Sequence, residues 1–229
     1  MRTEGIISFL NKIADMVILS ALWCLYSLPL FTIGASTAAL YHTIVKVIRQ
    51  DRGYAFQTFH KSFRENFRST AVPSVIFLLF LAAACFSCYL FWDATETILE
   101  NSYFFFSFLC VLLIILIMIH TFSSTGRFNL SRNELITVVT RLTFGHLFMN
   151  FMILCLIIAA IELVMWYIPL ILFIVPSGLF YLISLIEEPM YKKHIKFEDD
   201  WNTDLIHNEN LPFHKKDSEN TVDTENVDE

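Results

Sequence analysis

The sequence predicts an all-α fold: a polytopic transmembrane helical bundle of five to six membrane helices with a cytoplasmic, interfacial amphipathic helix. Three observations carry this prediction. The 229 residues are 55% apolar and only 17% charged, whereas soluble domains carry about 25% charged residues. The apolar residues form long blocks instead of the spaced pattern of a soluble core. The Lys and Arg residues cluster in alternate loops between those blocks.

The acidic charge of the chain is confined to its C-terminal end. Residues 197–229 hold eleven Asp and Glu against two Lys, a net charge of −9, so residues 1–196 carry +3. The acidic segment has too little apolar surface to offset the entropy cost of ordering it. We therefore predict two regions: a membrane bundle over 1–196, and a largely disordered cytoplasmic tail over 197–229.

Each long apolar block is tested as a membrane helix, because about 20 residues cross a hydrocarbon core roughly 30 Å thick. The blocks are too long for barrel strands and lack their two-residue alternation. A helix also satisfies its own backbone groups in lipid. The predicted helices cover about 13–31, 34–48, 72–92, 103–121, 147–167 and 170–187.

Basic residues in the loops predict the orientation of these helices. The segment 49–71 holds five Lys and Arg and is assigned to the cytoplasm, whereas 93–102 holds none and is external. The segment 120–146 holds three Arg and returns to the cytoplasm. An external turn at Ile168–Pro169 then leaves the C-terminus in the cytoplasm. The rule is obeyed at every loop.

The break between Pro29 and Gly34 decides the number of spans. If 16–48 is one broken span, there are five spans and the N-terminus is external. If the break is an external turn between two helices, there are six spans and both termini are cytoplasmic. Arg2 and Lys12 favour the second interpretation, although a helix over 35–48 rises only about 21 Å.

The amphipathic helix is predicted over about 54–69. Its phenylalanines recur at spacings of three, four and four, which places them on one helical face with the basic residues away from it. These residues are Phe56, Phe59, Phe63 and Phe67 on the stripe, and Lys61, Arg64 and Arg68 beside it. One interpretation has this helix pack on the bundle or lie in the membrane surface. The other has it dock a cytoplasmic partner. Nucleic acid is not expected, because two membrane segments flank the helix.

Glu162 is the candidate for intramembrane chemistry, since carboxylates are rare in the bilayer interior. It is either a proton or cation site, or a side chain that reaches the outer interface near Trp166.

His42 and His120 lie near span ends and are read as interfacial instead of metal-binding. The five cysteines lie in apolar blocks and are read as packing residues. No nucleotide-binding, metalloprotease or hydrolase motif occurs, so we predict no enzyme, no metal and no cofactor.

The run Leu22–Tyr41 contains Trp23 followed by Pro29-Leu-Phe-Thr-Ile-Gly-Ala-Ser-Thr-Ala38, and a Phe-rich basic stretch follows at Phe59–Phe67. Over residues 22–68 this resembles the YesL-like family of bacterial membrane proteins, catalogued as domain of unknown function 624. Within this region Pro29, Thr32, Gly34 and Ser36 are the candidate functional residues, because broken helices line substrate sites in transporters. The resemblance establishes no catalytic or binding residue.

The resemblance implies a multi-pass protein of the bacterial cytoplasmic membrane with an accessory part in carbohydrate uptake. The expected function is therefore a non-enzymatic accessory or permease-like component. Its expected partners are the lipid bilayer and either carbohydrate transporter subunits or a sensor protein. The alternative is a signalling or regulatory scaffold that docks a cytoplasmic partner through the basic amphipathic helix.

Overall fold

The computed structural model describes residues 2–91, 98–128, 130–171 and 174–194. The chain divides into two compact units, Met1–Met190 and Tyr191–Glu229, and every contact discussed below lies within the first. The predicted acidic tail, 197–229, lies outside the described residues. The described residues form helices and no strand, which confirms the all-α bundle.

Seven α-helices are found in the described part of the chain. They are α1 (Arg2–Tyr26), α2 (Ile33–Thr43), α3 (Ala55–Leu90), α4 (Ile98–Arg127), α5 (Arg132–Gly145), α6 (Leu147–Ile171) and α7 (Val175–His194). A 3₁₀ turn at Leu30–Thr32 precedes α2, and a π-helical stretch at Ile44–Arg49 extends it.

The break at Pro29–Gly34 is a chain reversal between two antiparallel helices. Near the turn, the Ser27 and Ser36 hydroxyls lie 2.6 Å apart, and the Trp23 indole donates to the Thr37 hydroxyl at 3.2 Å. At the far end of the pair, Lys12 Nζ lies 2.9 Å from an Asp51 carboxylate oxygen. Helices α1 and α2 therefore form a hairpin, and the alternative of one broken span over 16–48 does not describe the structure.

Helix α2 is the most enclosed element, with every residue from Gly34 to Tyr41 buried. Its residues 34–39 are all small, which lets neighbouring helices approach closely. A Cβ built on Gly126 of α4 would lie 2.2 Å from the Ala38 carbonyl oxygen, and one on Gly34 would lie 2.1 Å from Ser74 Oγ of α3. The backbone of α2 thus lies directly against the backbone of α4 and against the Ser74 side chain of α3.

The predicted amphipathic helix 54–69 and the predicted span 72–92 are two halves of one helix. Helix α3 runs through Pro73 without ending, and its 36 residues rise about 54 Å. Of the placements expected for its aromatic stripe, packing on the bundle describes Phe59, which is fully buried. Its ring packs 5.5 Å from Tyr26, and that of Phe63 packs 4.7 Å from Tyr26. Phe59, Phe63 and Phe67 therefore pack on aromatic rings of the α1–α2 hairpin. The remaining residue of the stripe, Phe56, is exposed.

The second half of α3, the first half of α4 and most of α6 expose apolar side chains. Four stretches among the described residues are long and apolar enough to cross a membrane: Leu30–Arg49, Ala55–Leu90, Ser102–Arg127 and Leu147–Trp166. The most apolar window of the first is 78% buried within the protein, against 6% to 17% in the other three. The last three therefore leave their apolar surface uncovered by the described protein, which is compatible with a multi-pass membrane protein.

The C-terminal half differs from the predicted boundaries at two places. Helix α5 was not predicted, although Ser131 and Glu134 have the spacing of a capping box. The Ser131 hydroxyl and backbone N–H both donate to Glu134 Oε2, at 2.7 and 2.9 Å, and they hold the pKa of Glu134 below its ordinary value.

Helix α6 continues to Ile171, so the predicted turn at Ile168–Pro169 lies inside it. The next helix begins at Val175 because Pro176 fits a first helical turn.

The close contact between α2 and α4 predicts a specific sensitivity at Gly126. Gly126→Ala is expected to destabilise the protein by about 1–3 kcal/mol, because its methyl group would overlap the Ala38 carbonyl. Gly178→Ala in α7 is the matched control: no atom lies within 4 Å of its added methyl group, and alanine favours a helix. Thermal unfolding in detergent compares the two, and equal Tm values would contradict the packing described.

Candidate functional site: a buried polar core

Four of the five predicted intramembrane candidates lie together at the α1–α2 turn. The Thr32 hydroxyl donates toward the carbonyls of Tyr26 and Pro29, at 2.5 and 2.6 Å, and so holds the end of α1. The Ser36 hydroxyl donates to the Ile33 carbonyl at 3.0 Å, and the Gly34 N–H donates to Ser74 Oγ at 3.1 Å. Their hydrogen-bonding groups are thus used to close the turn and to fix it against α3.

The fifth candidate, Glu162, is separate from this group. It lies on α6 with its side chain exposed and without a hydrogen-bond or ion-pair partner among the described residues. The structure therefore does not bring Glu162 to the Pro29–Gly34 turn. The described structure instead buries two other carboxylates, those of Glu187 and Glu188 on α7.

A polar core joins α4, α6 and α7 through His120, Asn150 and Glu187. Two of these side chains are fully buried and Asn150 is 3% exposed. His120 Nδ1 lies 2.9 Å from Glu187 Oε1, and His120 Nε2 lies 3.0 Å from Asn150 Oδ1. Isoleucines from the same three helices, Ile119, Ile153 and Ile183, form a buried apolar cluster. One side chain from each helix thus forms a continuous hydrogen-bonded chain.

The hydrogen-bond pattern fixes where the protons lie. Asn150 Nδ2 lies 3.0 Å from the Leu142 carbonyl and 2.6 Å from the Thr143 carbonyl, and carbonyls only accept. The amide oxygen therefore faces His120, and His120 Nε2 must carry the proton of that contact. The contact between Nδ1 and Glu187 Oε1 then also needs a proton. The pair is either imidazolium with carboxylate or neutral imidazole with carboxylic acid, and it is net neutral in both forms.

Three polar atoms in or beside this chain are buried without a partner in the described structure. They are Glu187 Oε2, Ser123 Oγ and Thr143 Oγ1. Ser123 follows His120 by three residues on α4, so both lie on the same helical face. A buried polar atom without a partner is costly. The polar core therefore keeps an open acceptor on Glu187.

Two arginines pair with α7 beside the core. Arg127 Nε donates to Glu188 Oε1 at 3.0 Å, and the two side chains are 5% and 9% exposed. Arg49, at the end of the π-helical stretch, donates to the carbonyl and the hydroxyl of Ser184 at 2.7 and 3.3 Å. Ser184 and Glu188 are one turn apart on α7, so α7 contacts the π-helical extension of α2 and the end of α4 on either side of Glu187.

Sequence reasoning missed this core. His120 was read as interfacial, yet it is fully buried; its partner Glu187 lies 67 residues away, and no local pattern joins them. One feature of the sequence could have indicated the core: Glu187 and Glu188 are adjacent acidic residues at the end of the last predicted span. Among the described residues, no group of three or more His, Cys, Asp or Glu side chains could hold a metal ion.

Residues 16–88 match the family described as "Protein of unknown function, DUF624". The chain carries a DUF624 region. The resemblance noted over residues 22–68 lies inside it and is confirmed, because the YesL-like family is a DUF624 family. Neither the curated proteins nor the solved structures contain a significant match. The DUF624 region covers most of the α1–α2 hairpin and most of α3, and the polar core of α4, α6 and α7 lies beyond it.

The hydrogen bonds of Asn150 predict that its amide cannot be replaced by a carboxylate. Asn150→Asp removes both bonds to the Leu142 and Thr143 carbonyls and is expected to destabilise the protein by about 2–4 kcal/mol. Asn133→Asp, at an exposed position on α5, is the matched control and should change stability by less than about 0.5 kcal/mol. Detergent-based thermal unfolding measures both. A stable Asn150→Asp protein would show that the amide is not oriented as described.

Proposed function

We propose that the protein is a non-enzymatic, permease-like or accessory component of the bacterial cytoplasmic membrane, and that its polar core binds and releases a proton. The observation that supports this proposal is the buried, net-neutral contact between His120 and Glu187. Ionisable side chains inside a membrane bundle are costly and typically mark proton or ion pathways.

The proposed proton-binding atoms belong to Glu187. In the resting form one proton lies between His120 Nδ1 and Glu187 Oε1. A second proton added at Oε2 leaves imidazolium beside a neutral carboxyl group, so the core gains one positive charge. That charge lies near Arg127 and Glu188, and the ion pair between these two residues would respond to it. Proton binding would thereby alter how α7 packs against α4.

The carbohydrate part of the proposal is supported by the family resemblance alone. Under it, the protein works with carbohydrate transporter subunits in the same membrane, with its basic segment 49–71 and its C-terminus in the cytoplasm. We propose a cytoplasmic N-terminus as well, and the α1–α2 hairpin, in which Lys12 contacts Asp51, supports this.

Infrared spectroscopy tests proton binding at the core directly. On acidification of the protein in nanodiscs, we expect the band of a protonated carboxyl group in a dry environment to increase. The change should vanish in Glu187→Gln. It should persist in Glu162→Gln, the matched control, since Glu162 is exposed and Glu187 is buried. A spectrum that Glu187→Gln leaves unchanged would contradict proton binding there.

Co-purification tests the accessory role separately. The tagged protein is extracted in mild detergent from cells grown on inducing carbohydrates. Recovery of carbohydrate transporter subunits would support the role, and a particle that contains this protein alone under every condition would contradict it. The infrared result is independent of this outcome, so the two parts of the proposal can fail separately.

A second candidate, a regulatory scaffold, is favoured by one surface of α3. The basic half of that helix exposes a shallow groove lined by Phe56, Gln57, His60, Lys61, Arg64 and Glu65. Because Phe59 and Phe63 pack on Tyr26, a partner would contact Phe56 and the basic residues instead of the whole stripe. The double variant Lys61→Glu, Arg64→Glu should then lose a co-purified kinase or regulator while retaining its Tm. Retention of that partner would exclude the groove as its docking site.

A further inference from the structure

The geometry points to a non-crossing α1–α2 hairpin: we propose that it enters the lipid leaflet on the side of the basic half of α3, inserts its turn there, and does not span the bilayer. This inference concerns the placement of the DUF624 region and is independent of the polar core. It replaces the expectation that Pro29–Gly34 is a turn on the external side.

The basic half of α3 marks one side of the membrane. The apolar half, from Val72 to Leu90, rises about 28 Å and is long enough to cross the hydrocarbon core by itself. In the preceding half, Lys61 and Glu65 are 77% and 62% exposed, and Arg64 and Arg68 are exposed as well. Such a surface does not lie in hydrocarbon. The segment 55–71 therefore lies outside the core, on one side of the bilayer.

The turn of the hairpin contacts this same basic half. The Tyr26 hydroxyl lies 2.9 Å from His60 Nδ1, and the Tyr26 ring packs on Phe59 and Phe63. Past the turn, the Phe31 ring packs 6.3 Å from that of Phe67. Phe67 precedes Val72 by five residues, an axial distance of about 8 Å. The turn therefore lies near the membrane boundary on the side of the basic half.

The open end of the hairpin lies on that side too. Lys12 Nζ contacts Asp51 in the loop between α2 and α3, four residues before α3 begins. A hairpin of two full spans would place its turn about 30 Å from its open end, across the bilayer. Here both the open end and the turn contact the segment 51–67. The hairpin therefore begins, turns and ends without reaching the opposite surface.

The turn carries an apolar surface that the described protein does not cover. Leu28 is 75% exposed, Leu30 68% and Leu25 60%, and Phe31 is about half exposed. Large apolar side chains next to a membrane boundary are typical of segments that insert into the headgroup and acyl region. The exposed Arg64 and Arg68 of α3 favour anionic headgroups at the same surface. The occupant of this surface is therefore the lipid leaflet.

Under this arrangement α3, α4 and α6, whose apolar stretches are little buried within the protein, cross the membrane, and α2 does not. The burial of α2 is consistent with this, because a helix enclosed by α1, α3 and α4 presents little apolar surface to lipid. The basic segments 49–71 and 120–146 then lie on one side, as the distribution of Lys and Arg requires.

Single-cysteine labelling tests the proposal. In a variant whose five native cysteines are replaced by alanine, Leu28→Cys carries an environment-sensitive fluorophore in liposomes that contain spin-labelled phospholipids. Leu79→Cys, exposed on the apolar half of α3, is the lipid control, and Gln57→Cys, exposed on the basic half, is the water control. We expect quenching at position 28 within about two-fold of that at position 79 and well above that at 57. Leu30→Cys repeats the test if the first variant does not fold.

The same variants in spheroplasts test whether the hairpin crosses. A membrane-impermeant thiol reagent added outside should label neither Leu28→Cys nor Gln57→Cys until the membrane is permeabilised. Labelling of position 28, without labelling of position 57, in intact spheroplasts would show a crossing hairpin and overturn the proposal. Lack of lipid quenching at positions 28 and 30 would overturn insertion of the turn.

Discussion

The hydrocarbon environment requires each polar group between the membrane helices to find its partner within the protein. The His120–Glu187 contact is where this requirement shapes the rest of the structure. Either residue alone would place an unsatisfied ionisable group in a dry bundle, and together they make a net-neutral unit. Their pairing fixes α7 against α4. The second ring nitrogen of His120 donates a hydrogen bond to the Asn150 side-chain oxygen on α6. The Asn150 amide nitrogen in turn donates to the Leu142 and Thr143 carbonyls at the end of α5.

Two different kinds of packing therefore hold the two parts of the bundle. The DUF624 region, over residues 16–88, packs through small residues and aromatic rings: Gly34 lies against Ser74, and Tyr26 lies against Phe59 and Phe63. The C-terminal helices pack through isoleucines around one polar chain. Gly126 connects the parts, since it brings the backbone of α4 against Ala38. The buried ionisable pair, His120 and Glu187, thus lies outside the segment that the family match covers.

The sequence was sufficient for those features that depend on composition and local pattern. Long apolar blocks predicted the helices, Pro29 and Gly34 predicted the break, and the Phe spacing predicted that Phe59 and Phe63 share a helical face. It was insufficient where a feature depends on which helices are neighbours. Nothing near Phe59 indicates that Tyr26 covers it, and nothing near His120 indicates that Glu187 faces it. Glu162 is identifiable from the sequence because it is isolated within an apolar block, whereas Glu187 lies at a span end and is buried only through tertiary packing. Helix α5 was an avoidable omission, because its Ser131–Glu134 cap is a local pattern.

The orientation of the Asn150 amide requires His120 to carry a proton on Nε2, so that Nδ1 shares a second proton with Glu187. Nitrogen-15 NMR of histidine-labelled protein in nanodiscs measures this directly, with the His120 signals assigned by their loss in His120→Gln. We expect a proton on Nε2 in the folded protein, and an Nδ1 signal that shifts in Glu187→Gln. A His120 ring that is protonated on Nδ1 alone, with a bare Nε2 facing Asn150, would contradict this assignment.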